Sequence, residues 1–369
     1  MNSSPERLAV EGQVHVLFAF DIGFQVDLER AQSLAQESTR LHTVRSRRSA
    51  PTWFDFEPAP IRLLLKGAAE TGLGFGLETD AEVILYDFGV ALITFVGSLP
   101  GTLGELPELS RRLYADEKLP ELARNCARAV LDQIRPAVER PRLHESFEDY
   151  WIFSIRSWDR ALDTDGLEAG HWDLLARTVE SETGRLSAAQ VERVREGCLS
   201  YAPEDLAVID WNAAVLLDAD PEDVVAVLKH ANVELLELRV LDGELDMLLD
   251  HADETMASLA KKRMWLNFQS QNLLQRYANV QIDAVVLFEG VNNSIKLIGN
   301  QYLARLHRLA GQRLDLPAWS ANVERKIGVA EGLYQKMSDV VGARRLEVLE
   351  WVIIVLITIS IVLPFTPWY

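Results

Sequence analysis

The chain has 369 residues, 48% hydrophobic and 25% charged, a profile that excludes a disordered or fibrous protein and suits about two folding units. A formal net charge of −18 repels phosphate backbones and excludes broad nucleic-acid binding over the whole surface. Two cysteines, Cys126 and Cys198, are too few and too far apart for a disulfide framework or a cysteine metal site, and they read as reduced buried thiols.

From the N-terminus, residues 1–13 contain Glu6 and Glu11 and no long apolar stretch, so they read as neither a secretory signal nor an arginine-rich transit peptide. The apolar run HVLFAFDI (15–22) predicts a buried strand, and VDLERAQSLAQES after it has helical spacing. IRLLLK, AEVILYDF and GVALITFVG predict three more strands, the last two joined by a tight hairpin turn at Asp87-Phe88-Gly89. Helices are expected around residues 106–114 and 119–137, and DYWIFSIR (149–156) returns to strand character. Two further helical stretches precede a strand pair, LAVID and AAVLL, around Trp211-Asn212. Blocks of this kind predict α+β rather than a repeating βαβ array.

The character changes at DADPED (218–223). Asp220 is placed to cap a helix, with Pro221 at its first position and Glu222 and Asp223 at the positive end of the dipole. Residues 221–260 carry ten acids against Lys229 and Arg239, so this helix is expected to face solvent or a basic partner. Leu238, Leu241, Leu245, Leu248, Ala252 and Leu259 fall on a seven-residue repeat that Thr255 and Lys262 interrupt. Later, Val323, Ile327, Ala330, Tyr334, Met337 and Val341 are spaced 4-3-4-3-4. That is the seam of helices packed lengthwise, within one chain or between subunits.

The chain closes on EVLEWVIIVLITISIVLPFTPWY. Apolar residues cover every face of this run, where a soluble surface helix shows a stripe. Trp351, Ile354, Leu356, Ile359, Val362 and Phe365 read as a membrane anchor, with Arg344 and Arg345 on the side of the large domain. Residues 351–365 rise about 22 Å as helix, short of the roughly 30 Å hydrocarbon core unless the last residues take part. The competing reading is a buried C-terminal core helix.

No catalytic residue, cofactor or metal site emerges from the motifs. KGAAETGLGFGLETD sets glycines at 72, 74 and 76 after Lys66, but a strand follows where a phosphate-cradling loop needs a helix. A connection between strands is the plainer reading, and a nucleotide-dependent regulator or enzyme using Gly72–Gly76 is the alternative. Helix capping accounts for the acids of DADPED without calcium. The histidines at 15, 42, 144, 171, 230, 251 and 307 form neither HExxH nor another ligand pair at useful spacing. Arg45, Arg47 and Arg48, and separately Arg305, Arg308 and Arg313, are candidate contacts for RNA phosphates or lipid headgroups, set against a solvated-surface reading.

Over about residues 80–365, the strings AEVILYDFGVALITF, IDWN, ANVELLELR and LEVLEW before a terminal apolar helix carry a family likeness. The chain resembles the "required for meiotic nuclear division" family, whose bacterial branch is called YagE-like and whose shared region is a domain of unknown function. The resemblance implies, from the mitochondrial relatives, inner-membrane attachment, large homo-oligomers and a tether that supports translation by organelle ribosomes, while fungal relatives do other work outside mitochondria. It supplies no catalytic residues. The expected protein is a non-enzymatic scaffold at the inner (cytoplasmic) membrane, with no cofactor. It would comprise a mixed α+β cytoplasmic domain (1–217), a long helical, coiled-coil-like hairpin or stalk (218–345) and one C-terminal transmembrane helix (346–369). The expected partners are the lipid bilayer, other copies of the chain and an unidentified protein. Nucleic acid would be reached only through a partner or a local basic patch, and a ribosome-associated factor is the alternative.

Overall fold

The computed structural model describes residues 5–37, 41–43, 54–55, 58–68, 75–158, 167–261, 275, 278–279, 282–290, 296–297 and 301–362. The chain divides into two compact units, one of Met1–Val240 with Glu289–Trp319 and one of Leu241–Phe288 with Ser320–Tyr369.

The first unit is built on β1 (Val10–Asp21), which buries Val14, Val16, Phe18 and Phe20 on one face and Leu17 and Ala19 on the other. A strand buried on both sides needs a cover over each. After β2 (Gln25–Val26), Asp27 caps α1 (Leu28–Gln36) by accepting from the Arg30 N–H. The short strands β3 (Leu41–Thr43) and β4 (Phe54–Asp55) precede β5 (Ile61–Leu65), β6 (Leu77–Leu85) and β7 (Val90–Ser98). β6 and β7 form the expected hairpin, in which the Tyr86 N–H donates to the Val90 carbonyl and the Gly89 N–H to that of Tyr86. Gly89 has φ +94°, and a Cβ there would lie 1.9 Å from the Gly23 carbonyl oxygen, so the turn requires glycine.

Two amphipathic helices follow, α2 (Leu106–Tyr114) and α3 (Lys118–Ile134), then β8 (Val138–Glu139) and β9 (Phe147–Trp158). Next come α4 (Ala169–Val179), α5 (Ala188–Glu196), β10 (Cys198–Leu199), β11 (Leu206–Ile209) and β12 (Ala213–Leu217). The nine-stranded sheet has the order β10-β11-β12-β9-β1-β7-β6-β5-β3. Its neighbours are antiparallel except β12 and β9, which run parallel. The long connection through α4 and α5 allows this, because parallel neighbours need a crossover. Phe18, Phe20, Val83, Ile93, Trp151, Phe153 and Val215 share one core with buried residues of α1 to α4, which cover the first face of the sheet.

The second face is covered by the start of α6 (Glu222–Lys261). Arg156 at one end of β9 pairs with Glu222 at 2.9 Å, and Glu148 at the other end pairs with Arg239 at 2.5 Å. The stretch of β9 between these pairs spans about 26 Å, and so does the stretch of helix, so α6 runs back along β9. Val224, Val227, Leu228, Ala231, Leu236 and Leu238 are buried, and so are Lys229, His230, Asn232 and Glu237. The expectation that this helix faces solvent therefore fails for its first half. Its acids are unevenly spread: Asp242, Glu244, Asp246, Asp250, Asp253 and Glu254 all lie beyond Leu241, and the average over the helix hides this.

β13 (Lys296–Leu297), which pairs with β4, precedes α7 (Gln301–Arg313) and α8 (Leu316–Val362). In the second unit, Lys326 is buried between Asp242 at 2.7 Å and Asp246 at 2.6 Å, while Asn322 donates to Asp242 at 2.5 Å. Val323, Ala330 and Met337 of the heptad seam are buried, and Ile327 and Tyr334 are half-buried. The Val341 side chain lies outside the described residues. Part of this seam thus packs within the chain.

The protein is α+β, but the expected transmembrane helix is corrected: among the described residues, no helix is long and apolar enough to cross a membrane. The apolar end of α8, residues 351–362, rises only about 18 Å against a hydrocarbon core of roughly 30 Å. Glu347 and Glu350 close its upstream side. The single-pass inner-membrane location and the tail anchor fall with it. Trp351, Ile354, Leu356 and Ile359 are exposed on this helix, the side chain of Val362 is not described, and Phe365 lies outside the described residues.

Candidate metal centre

One helical turn separates His230 from Glu234, so α6 presents both on the same face. α7 brings His307 to them. One ligand atom from each of the three lies within 4.8 Å of the others, and His307 Nε2 is 3.3 Å from Glu234 Oε2. The two imidazole rings are 6.1 Å apart, centre to centre. α7 is fixed by buried Leu303, Leu306 and Ala310 and by Arg313, which donates to the Arg193 carbonyl at 3.0 Å. The Arg313 guanidinium fills the space where a Cβ on Gly197 would lie, 2.5 Å from it. At the other end of α7 the Tyr302 ring meets that of Tyr201 at 5.9 Å.

The centre is closed around His230 and less deeply buried around Glu234 and His307. His230 is 1% exposed and stands 6.2 Å from the Tyr86 ring, which lies tilted against that of Phe88 at 5.2 Å. The side chains of Glu234 and His307 are 13% and 24% exposed. Burial, and then the neighbouring His307, hold the His230 imidazole down to about 3. It is therefore neutral near pH 7, the form in which an imidazole ligates a metal without first losing a proton. Two imidazole nitrogens and one carboxylate oxygen suit Zn²⁺, Fe²⁺, Co²⁺ or Ni²⁺ better than Mg²⁺ or Ca²⁺, which prefer all-oxygen shells. Bonds of about 2.1 Å to a tetrahedral ion put ligand atoms about 3.4 Å apart. The His307–Glu234 pair already has that spacing, and the remaining gap closes with side-chain movement on the order of 1 Å.

Other buried polar groups lie on the same side of the sheet. Lys229 pairs with Glu82 of β6 at 2.5 Å, and the lysine holds that carboxyl below its ordinary range. Burial, with Lys229 next, lowers His15 of β1 to about 3. Neither His15 nitrogen has a hydrogen-bond partner among the described residues, and the same holds for Thr94 Oγ1 and Ser154 Oγ. These groups share the second face through the β1–β7, β6–β7 and β1–β9 registers.

The residues singled out in the sequence do not gather here. Arg45, Arg47, Arg48, Gly72 and Gly74 lie outside the described residues, as do the side chains of Arg344 and Arg345. Gly76 occupies a turn directly before β6, and Lys66 is exposed. Arg305 and Arg308 are exposed on α7, whereas Arg313 is engaged with Arg193. Cys126 is buried, its thiol pushed up to about 11 by burial, and Cys198 is half-buried; both are free thiols. The histidines that read as unconnected include two of the three ligands. The His230–Glu234 spacing of four was the available signal, but His307 is joined to it only by the fold.

Residues 11–223 match the family described as "Uncharacterized protein MJ0711, N-terminal domain". The uncharacterized protein MJ0711 of Methanocaldococcus jannaschii is 20% identical over 240 residues, which cover 63% of this chain and 71% of that protein. No solved structure matches the chain. The three candidate ligands lie beyond the family match, so the case for them rests on geometry.

Proposed function

The chain belongs to the MJ0711 N-terminal-domain family, and on that premise we propose that its first unit binds a divalent transition-metal ion through His230, Glu234 and His307. One observation carries this reading. Two helices bring two histidines and a glutamate together with their ligand atoms within 4.8 Å, in a place where none of the three is fully exposed. Metal bound there joins α6 to α7 and stabilises the folded protein by mass action. The test is thermal unfolding of metal-stripped protein with and without Zn²⁺, beside metal analysis after desalting. A rise in Tm and about one ion per chain, both lost in His307→Ala and Glu234→Gln, support the proposal. Retention of the ion by both variants overturns it.

A second reading keeps the scaffold that the "required for meiotic nuclear division" resemblance implies, acting through self-association of the second unit. It is favoured by the exposure, to about half of each side chain, of the apolar residues from Leu349 to Ile361. An exposed apolar surface of that length is the mark of an interaction site, and here the occupant is a second copy of the chain. Mass photometry of the full chain and of a chain ending at Glu350 tests it: oligomers lost on truncation support it, and monomers in both forms reject it.

A further inference from the structure

We infer, resting on the metal-binding reading above, that the ion at His230, Glu234 and His307 keeps an open coordination position on the Glu234–His307 side, where it takes water or a small monodentate anion from solvent. Three features of the site support this. The described residues supply three ligand groups, and a transition-metal ion takes at least four donors; closed structural sites draw all of them from the protein, whereas open sites hold three and leave one for an exogenous ligand. The exposure gradient then places the open position. His230 closes the inner side, next to the Tyr86 ring, while the side chains of Glu234 and His307 are 13% and 24% exposed, so this is the side nearer to solvent although His307 Nε2 itself is buried. Charge selects the occupant: a divalent ion ligated by two imidazole nitrogens and one carboxylate oxygen carries a net +1 in a partly desolvated place, which favours an anionic donor or a water that loses a proton readily.

The alternative is a saturated structural ion whose only effect is to fasten α7 to α6. The two differ in whether an added ligand reaches the metal. The experiment uses the full chain, stripped of metal and loaded with Co²⁺, whose visible absorption bands report its coordination shell. Sodium azide is titrated into the Co²⁺ protein, and the spectrum is followed alongside metal analysis of the desalted sample. The expected result is a saturable change in band position and intensity, with azide dissociating in the millimolar range. Glu234→Gln, which keeps shape but removes the ligand charge, is expected to retain less Co²⁺, and its folding is checked by circular dichroism. A Co²⁺ spectrum that does not move with azide overturns the open position while leaving metal binding intact. Failure of the protein to retain Co²⁺ or Zn²⁺ at all overturns the metal reading itself, and the inference with it. Equal retention of Co²⁺ by wild type, Glu234→Gln and His307→Ala places the ion elsewhere and overturns both.

Discussion

The two faces of the nine-stranded sheet are both buried but are filled in different ways. Under α1 to α4 the face is mainly apolar, with Phe18 meeting Phe95, Phe147 and Trp151 at ring separations of 5.5 to 6.4 Å, and the buried Ser110 of α2 is hydrogen-bonded to the Thr178 carbonyl of α4. Under α6 the apolar residues Leu17, Ile84, Leu92 and Ile152 are interrupted by His15, Glu82, Thr94 and Ser154, and the helix adds Lys229, His230 and Glu237. A buried polar group without a partner costs free energy, and His15, Thr94 and Ser154 have no hydrogen-bond partner for their side chains among the described residues, so the second face is less stabilising per unit of area. The candidate metal ligands lie on that side, where the helix meets α7. The contrast separates a face that holds the fold from one whose polar groups specify how α6 is seated.

If the first face is the main source of stability, truncation there has the largest effect. Phe18→Ala removes a fully buried ring from the aromatic cluster and is expected to cost about 3–5 kcal/mol in chemical denaturation. A cost under about 1 kcal/mol would erase the distinction between the faces. On the second face, Lys229→Met leaves Glu82 without its close cationic partner and is expected to cost about 3 kcal/mol. Adding Glu82→Leu should recover most of that loss, because an apolar pair tolerates burial where a lone carboxylate does not. A double variant as unstable as the single one would mean that the ion pair itself is needed to seat α6.

The second face should also set the dependence of stability on pH. His15 is held at about 3, well below its usual 6.5, chiefly by burial. As pH falls below 6.5 the unfolded chain takes up a proton that the folded chain refuses, so stability drops toward pH 3 by up to about 1.4 kcal/mol per unit. Glu148 does the opposite. Burial, working against Arg239, raises it from 4.5 to about 7, so the folded chain keeps a proton that the unfolded chain has released. Its contribution is complete below pH 4.5 and is lost as pH rises to about 7. Between 4.5 and 6.5 the two slopes oppose each other and the wild-type contribution of this pair is nearly flat. His15→Leu should reveal a loss on raising pH across that window, and Glu148→Gln a loss on lowering it. Parallel pH profiles for wild type and both variants, from urea denaturation at several pH values, would show that neither group titrates differently on folding.

Local pattern made most of the first face legible. The apolar run 15–22, the β6–β7 hairpin at Gly89 and the strand pair around Trp211-Asn212 follow from propensity and turn chemistry that act over a few residues. The parallel pairing of β12 with β9 has no such signal, because the crossover between them is a tertiary choice. The second face misled for a related reason: net charge over residues 221–260 describes the whole helix, whereas burial is decided turn by turn, and Lys229 is neutralised by a glutamate on a distant strand. His230 and Glu234 had helical spacing in plain view, but a metal site needs a third ligand, and His307 comes to them only when α7 docks. The terminal apolar run pointed to a membrane through its all-round apolarity, but that property speaks to the company a helix keeps and not to its span, and no described helix is long and apolar enough to cross.

The smallest effect expected is also the finest test of the contrast. Thr94 is fully buried on β7, and its hydroxyl has no hydrogen-bond partner among the described residues. A valine has nearly the same shape, suits a strand and carries no group to desolvate. Thr94→Val should therefore stabilise the protein by about 1 kcal/mol, which is the cost of leaving a hydroxyl unpaired. The same substitution would destabilise if an ordered water joined Thr94 to His15 or Glu82, because removing the hydroxyl would then orphan the next group in the chain. The sign of the change in denaturation midpoint decides between them. A gain means that the polar groups under α6 are separate costs offset by the apolar residues around them; a loss means that they form one hydrated network, seated as a unit beneath the helix that carries His230 and Glu234.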